Sequence, residues 1–226
     1  MFDDIKHTAT DRLLKVKLYL NEIPDQAPLP SVAPNEFANT LKGLFFVYLY
    51  GVFEMVITKT VARTIEELNT SGARISECKI ELSALIFSPE YDALYGVGDK
   101  KKWDRRWDIS NKYIADCPLN IIETILPTDG RNIQEGQLRS IANTFGNDYS
   151  IFPRPETRGY VVELVQFRNF IAHGDELPQD IGKRFSIADL EMRLQHIDEL
   201  CTYTIDHYED YIQNQKYLKK PLETDS

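Results

Sequence analysis

The sequence predicts an all-α protein, an antiparallel helical bundle with an irregular insertion in the middle of the chain. Three observations carry this. Apolar residues recur at three- and four-residue steps over long stretches, no alternation of apolar and polar residues lasts long enough to build a sheet, and the glycines and prolines that interrupt regular structure gather in residues about 71–155. At 226 residues, 42% hydrophobic and 27% charged, the chain is sized for one well-buried core, and no internal repeat divides it; a single domain over residues 1–226 is expected.

The first helix runs from Asp3 to about Asn21, with apolar positions at Leu13, Leu14, Val16, Leu18 and Leu20, and stops at a proline-rich linker or wrapping arm, Pro24 to Pro34. Asn35 is placed to cap a long second helix, to about Asn69, in which Phe37, Leu41, Leu44, Phe45, Tyr48, Val52 and Met55 follow helical spacing. The insertion holds short helical candidates at Ile75–Ile86 and Asn132–Phe145. From Glu156 an apolar stripe of Val161, Leu164, Phe167 and Ile171 marks another helix, with Gly174 as its stop just past His173. Ser186 and Asp189 form a capping pattern ahead of a last long helix carrying Leu190, Leu194, Ile197, Cys201, Ile205, Tyr208 and Ile212. Residues 217–226 are expected as a frayed tail.

Composition narrows the function classes. With 26 basic and 35 acidic residues, the net charge of −9 gives no general pull toward phosphate, so any nucleic-acid contact must be local. Three widely spaced cysteines with no CxxC pair disfavour a disulfide framework or a thiolate zinc site and fit a reducing, cytoplasmic setting. The acidic N-terminus lacks the pattern of a secretory signal, and the apolar run Leu44–Ile57, interrupted by Glu54, reads as a core helix, so no membrane partner is expected. His7, His196 and His207 lack ligand partners at metal-binding spacing, and there is no Gly-rich phosphate loop or nucleophile elbow. Neither metal nor cofactor is expected.

One segment suggests chemistry: Gln166-Phe167-Arg168-Asn169-Phe170-Ile171-Ala172-His173-Gly174. Arg168 points along the apolar stripe, where a charge needs a partner or a bound anion. His173 shares a different face with Asn169 and Gln166, about 140° around an ideal helix from Arg168. Unwinding at Gly174 would swing the imidazole round; alternatively a second copy of the helix faces the first across a two-fold axis, which predicts a homodimer. Glu54, the only formal charge between Leu44 and Ile57, is expected to pair with Arg168, with Gly51 allowing close helix approach.

The arginine, the polar Asn169 after it, and a histidine beyond four intervening residues resemble the R-x4-6-H motif of the HEPN superfamily. The motif near the end of one long helix, followed by a further long helix, is similar to HEPN-like nucleases of the MAE type, described as predicted toxins. The resemblance implies metal-independent cleavage of single-stranded RNA at a site shared by two protomers. Arg168 and His173 would be catalytic, with His173 as general base or acid and Arg168 as phosphate clamp. Asn169 and Gln166 would position the substrate and Glu54 would support Arg168. It also implies an antitoxin or inhibitor protein as partner. Two alternatives stay open: a non-catalytic HEPN-like module that binds RNA, nucleotide or protein, and a purely structural helical domain.

The segment Lys100-Lys101-Lys102-Trp103-Asp104-Arg105-Arg106-Trp107 interleaves five basic residues with two tryptophans. Its readings are a surface loop with tryptophans docked on the bundle, which is preferred, an RNA platform, or a recruiter of an acidic inhibitor.

Overall fold

Five residues spaced four, four, three and four apart, Ile5, Ala9, Leu13, Val16 and Leu20, make the buried stripe of helix α1, Asp3–Asn21. Leu14 and Leu18 lie on its outer face. The computed structural model describes residues 1–23, 35–95, 97–123, 126–127 and 132–219; the expected linker at Pro24–Pro34 and residues 220–226 fall outside the described residues.

Helix α2, Glu36–Thr70, starts where Asn35 Oδ1 accepts a hydrogen bond from the Ala38 amide at 3.0 Å, the cap its position predicts. An 18-residue window of α2 has a mean hydropathy of 1.5, long and apolar enough to cross a membrane by composition alone, but 56% of that window is buried inside the protein, as in a core helix. Two 3-10 turns, Ile75–Glu77 and Ile80–Leu82, lead to short helices α3, Ser83–Ile86, and α4, Ser88–Asp92. Then come α5, Asp99–Ala115, α6, Glu135–Thr144, α7, Thr157–His173, α8, Pro178–Gly182, and α9, Ile187–Gln213. The predicted box before α9 is present: Ser186 Oγ accepts from the Asp189 amide at 3.1 Å, and Asp189 Oδ2 accepts from the Ser186 amide at 2.8 Å. Among the described residues there is no strand, only the isolated bridges Arg74–Pro118 and Cys78–Leu218, and the fold is all-α.

The chain groups into two compact units, each assembled from separate stretches. The first is Met1–Thr60, Arg131–Gly136 and Ser150–Asp206; the second is Val61–Gly130, Gln137–Tyr149 and His207–Ser226. Helices α2 and α9 each contribute residues to both.

In the first unit, α1 meets α2 through Tyr19, whose hydroxyl donates to the Leu41 carbonyl at 2.7 Å and whose ring sits edge-on to Tyr48. Helices α7 and α9 run antiparallel: Glu163 binds Arg193, Tyr160 stacks on His196, and Arg154, just before α7, reaches Glu199. Helix α8 lies against the first turns of α2 with no room for a side chain between them. A Cβ on Gly43 would sit 2.0 Å from the Pro178 carbonyl oxygen, and one on Gly182 would sit 1.9 Å from that of Asn39.

In the second unit, the Asn69 side chain holds Ile121 from both sides, donating to its carbonyl at 2.8 Å and accepting from its amide at 2.7 Å. Two expectations change here. The expected fraying after Lys216 does not start at 217: Tyr217 is buried, its carbonyl accepts from the Lys79 amide at 2.8 Å, and the Lys219 amide donates to Glu77 at 2.8 Å. The Lys100–Trp107 segment, preferred as a loop with docked tryptophans, is the body of α5, and no residue of that helix is buried.

Candidate functional site

All five residues singled out for chemistry, Gln166, Arg168, Asn169, His173 and Glu54, lie in the first unit. Helix α7 ends at His173 because Gly174 adopts φ +76°, a left-handed conformation that lets the Asp175 amide turn back onto the Phe170 carbonyl at 2.9 Å. The stop expected at Gly174 is therefore where α7 ends. One stripe of α7, Val162, Gln166, Asn169 and His173, faces outward; Val161, Leu164 and Val165 are buried on the other side. Phe167 joins Phe46 and Phe185 in an aromatic cluster with ring centroids 4.9 to 5.5 Å apart, which fixes the last turns of α7 against α2.

Arg168 is half-buried, with its guanidinium 4.9 Å from the centre of the Tyr50 ring. Its Nη1 donates to Asn169 Oδ1 at 3.0 Å, and among the described residues no carboxylate lies within ion-pair reach of it. A guanidinium has five N–H donors, so most of its capacity is unspent. Asn169 Oδ1 also accepts from Asn132 Nδ2 at 2.6 Å. Two donors on one oxygen fix the amide's orientation and leave its NH2 group turned away from both.

The expected Glu54–Arg168 ion pair is not formed. Tyr50, one turn before Glu54 on α2, donates its hydroxyl to Glu54 Oε1 at 3.1 Å and presents its ring face to Arg168, so the phenol satisfies the carboxylate locally. The same hydroxyl accepts from the buried Ile133 amide at 3.0 Å. Burial pushes the Tyr50 phenol up to about 12; the bond from Ile133 and the Arg168 charge work against that rise, and Glu54 adds to it. Tyr50 therefore stays protonated at neutral pH and acts as a donor. Gly51, expected to allow close helix approach, is exposed with open space around it; the close approach occurs at Gly43 and Gly182 instead.

His173 and Gln166 are exposed, and neither makes a hydrogen bond among the described residues. Arg168 and Asn169 are brought together with Tyr50 and Asn132; Gln166 and His173 lie one turn either side of Asn169 on the same stripe of α7 and make no hydrogen bond to that cluster. Tyr50 and Asn132 are the residues that sequence reasoning missed. A tyrosine four positions before Glu54, the one charge between Leu44 and Ile57, was a usable signal for the first; Asn132, ahead of α6, carried none. Among the described residues, no group of three His, Cys, Asp or Glu side chains is arranged to hold a metal ion.

This arrangement offers a cation with no carboxylate partner among the described residues, an oriented amide, and a solvent-facing imidazole at a helix end. Such a set can hold an anion such as a phosphodiester, and the same helix end carries a proton acceptor. A family model described as HEPN_MAE_28990/-like HEPN matches residues 7–217. No curated protein and no solved structure matches the chain.

Proposed function

Because the chain belongs to the HEPN_MAE_28990-like HEPN family, we propose that it is a metal-independent endoribonuclease that cuts single-stranded RNA by attack of a ribose 2′-hydroxyl. The observation that carries this reading is Arg168: half-buried, oriented by Asn169 and Tyr50, and without a carboxylate partner among the described residues. A half-buried guanidinium in that state favours a bound anion, and its planar donors suit two phosphate oxygens at once.

The chemistry follows from the residue types. The imidazole of His173 takes the proton of the 2′-hydroxyl, and the 2′-oxygen attacks the adjacent phosphorus while Arg168 braces the charge gathering on the non-bridging oxygens. The bond from phosphorus to the 5′-oxygen breaks, and an imidazolium returns a proton to that oxygen. The products carry a 2′,3′-cyclic phosphate and a 5′-hydroxyl. In a homodimer the Arg168 of one copy acts with the His173 of the other, which offsets the poor aim of a single helix.

The test is incubation of wild-type and His173→Ala protein with total cellular RNA in excess EDTA, reading the cut ends. Wild type should leave cyclic-phosphate ends, and the variant should be slower by about 10²-fold or more. Undiminished cutting by a folded His173→Ala protein would sink the assignment.

The rival reading is a non-catalytic module that binds RNA or nucleotide through Arg168. The lack of a hydrogen bond between the exposed His173 and the Arg168 cluster favours it, and it is the better reading if RNA binds and stays whole. The proposal extends to a growth-arresting toxin or defence effector restrained by an antitoxin or inhibitor protein. Family membership alone supports that extension, and growth arrest on expression, relieved by His173→Ala, checks it.

A further inference from the structure

Helix α5, Asp99–Ala115, holds six basic and three acidic residues in a chain of net charge −9, and none of its residues is buried. Its inner side is fastened to the neighbouring turns by Lys112, which donates to the Ile86 carbonyl at 2.9 Å and to Glu90 at 2.7 Å. The opposite face carries Trp103, Trp107 and Ile114, which are 66%, 62% and 74% exposed. Residues 103, 107 and 114 fall within one narrow stripe of a helix of 3.6 residues per turn.

The charges along the helix divide into two groups. Lys102, Arg105 and Lys112 are paired with Asp99, Asp108 and Glu90. Lys100, Lys101 and Arg106 have no carboxylate partner among the described residues; Lys100 and Arg106 flank the indole stripe, and the Arg106 guanidinium lies 4.8 Å from the centre of the Trp103 ring. Exposed indoles cost free energy unless something covers them, and the free cations beside them select an anionic occupant. The indoles are separated by about 6 Å along the helix axis, a span that one extended nucleotide covers.

We propose that the Trp103–Trp107 face of α5 is a binding platform for single-stranded RNA, with bases stacked on the two indoles and phosphates held by Lys100 and Arg106. Base-on-indole stacking accepts any sequence, and a pair of cations gives local attraction that an acidic protein otherwise lacks. The inference deepens the RNA reading above and rests on it for the choice of RNA over an acidic polypeptide, which meets the same cations but has no flat rings to stack.

Trp103 and Trp107 are the only tryptophans in the chain, so intrinsic indole emission reports this face alone. Full-length His173→Ala protein is titrated with a single-stranded uridine-rich RNA of about 12 nucleotides, within the span such platforms cover. Emission and the anisotropy of the labelled RNA are followed together. Saturable quenching is expected, with affinity falling with salt at a log–log slope of about −1 to −2 for two phosphate contacts. Trp103→Ala and Trp107→Ala should each weaken binding roughly tenfold with the helical circular-dichroism signal unchanged. Silent tryptophans while RNA binds, absence of RNA binding, or equal quenching by polyglutamate would each overturn the platform. Wild-type cutting is scored in parallel. Cutting with silent tryptophans removes the platform and leaves the nuclease; quenching without cutting supports the platform and removes the nuclease.

Discussion

Tyr50 serves three neighbours from one buried position: its hydroxyl donates to Glu54 and accepts from the Ile133 amide, and its ring lies under Arg168. Tyr50→Phe keeps the ring and deletes the hydroxyl, leaving a buried amide without an acceptor. A loss of about 1–3 kcal/mol is expected in urea denaturation. A second residue-scale consequence sits at His207 in the other unit, stacked on Tyr149 at 3.6 Å with Nε2 at 2.9 Å from Asn147 Oδ1. Burial, assisted by Lys216, lowers its pKa from 6.5, and Asp210 works in the opposite direction. A depressed folded pKa means that the unfolded chain binds the proton more readily, so this contribution is complete above pH 6.5 and is lost as pH falls through the folded value. The melting temperature should fall between about pH 7.5 and about pH 5, and His207→Phe should shrink that fall. An identical pH dependence in the variant would refute the assignment.

Among the elements, those with caps and a steady apolar period were legible from sequence: α1, α2, α7 and α9 lie within a residue or so of where the spacing, Asn35, the Ser186–Asp189 box and Gly174 put them. Helix α5 was not, because periodicity is informative when it reflects burial, and the periodic residues of α5 face solvent. The site was legible to the extent that it is local. Arg168, Asn169 and the helix end follow from one segment, whereas the partner of Glu54 depended on a competition between a donor one turn away and a charge on another helix, which a linear sequence does not rank. Gly174 gives this scale its prediction. At φ +76° any side chain is strained, so Gly174→Ala should destabilise the protein by roughly 1–2 kcal/mol in the same denaturation assay. Indifference to that change would show that the end of α7 can rearrange.

For the molecule as a whole, the proposed composite site requires two copies. The 26.1 kDa chain should then sediment as a dimer of about 52 kDa. Arg168→Ala and His173→Ala proteins, each inactive alone, should regain part of the RNA cleavage when unfolded and refolded together, since mixed dimers keep one intact arginine and one intact histidine on opposite chains. A monomer with full activity would place the whole reaction within a single chain. The contact between α8 and the start of α2 bears on how this chain can drift over evolutionary time. Gly43 and Gly182 each meet main-chain oxygen, not a side chain that a neighbouring change might trim. No second substitution can therefore license a first at either position. In a saturation library selected for folded protein, both columns should hold glycine almost alone, while the outward Leu14 and Leu18 of α1 drift freely.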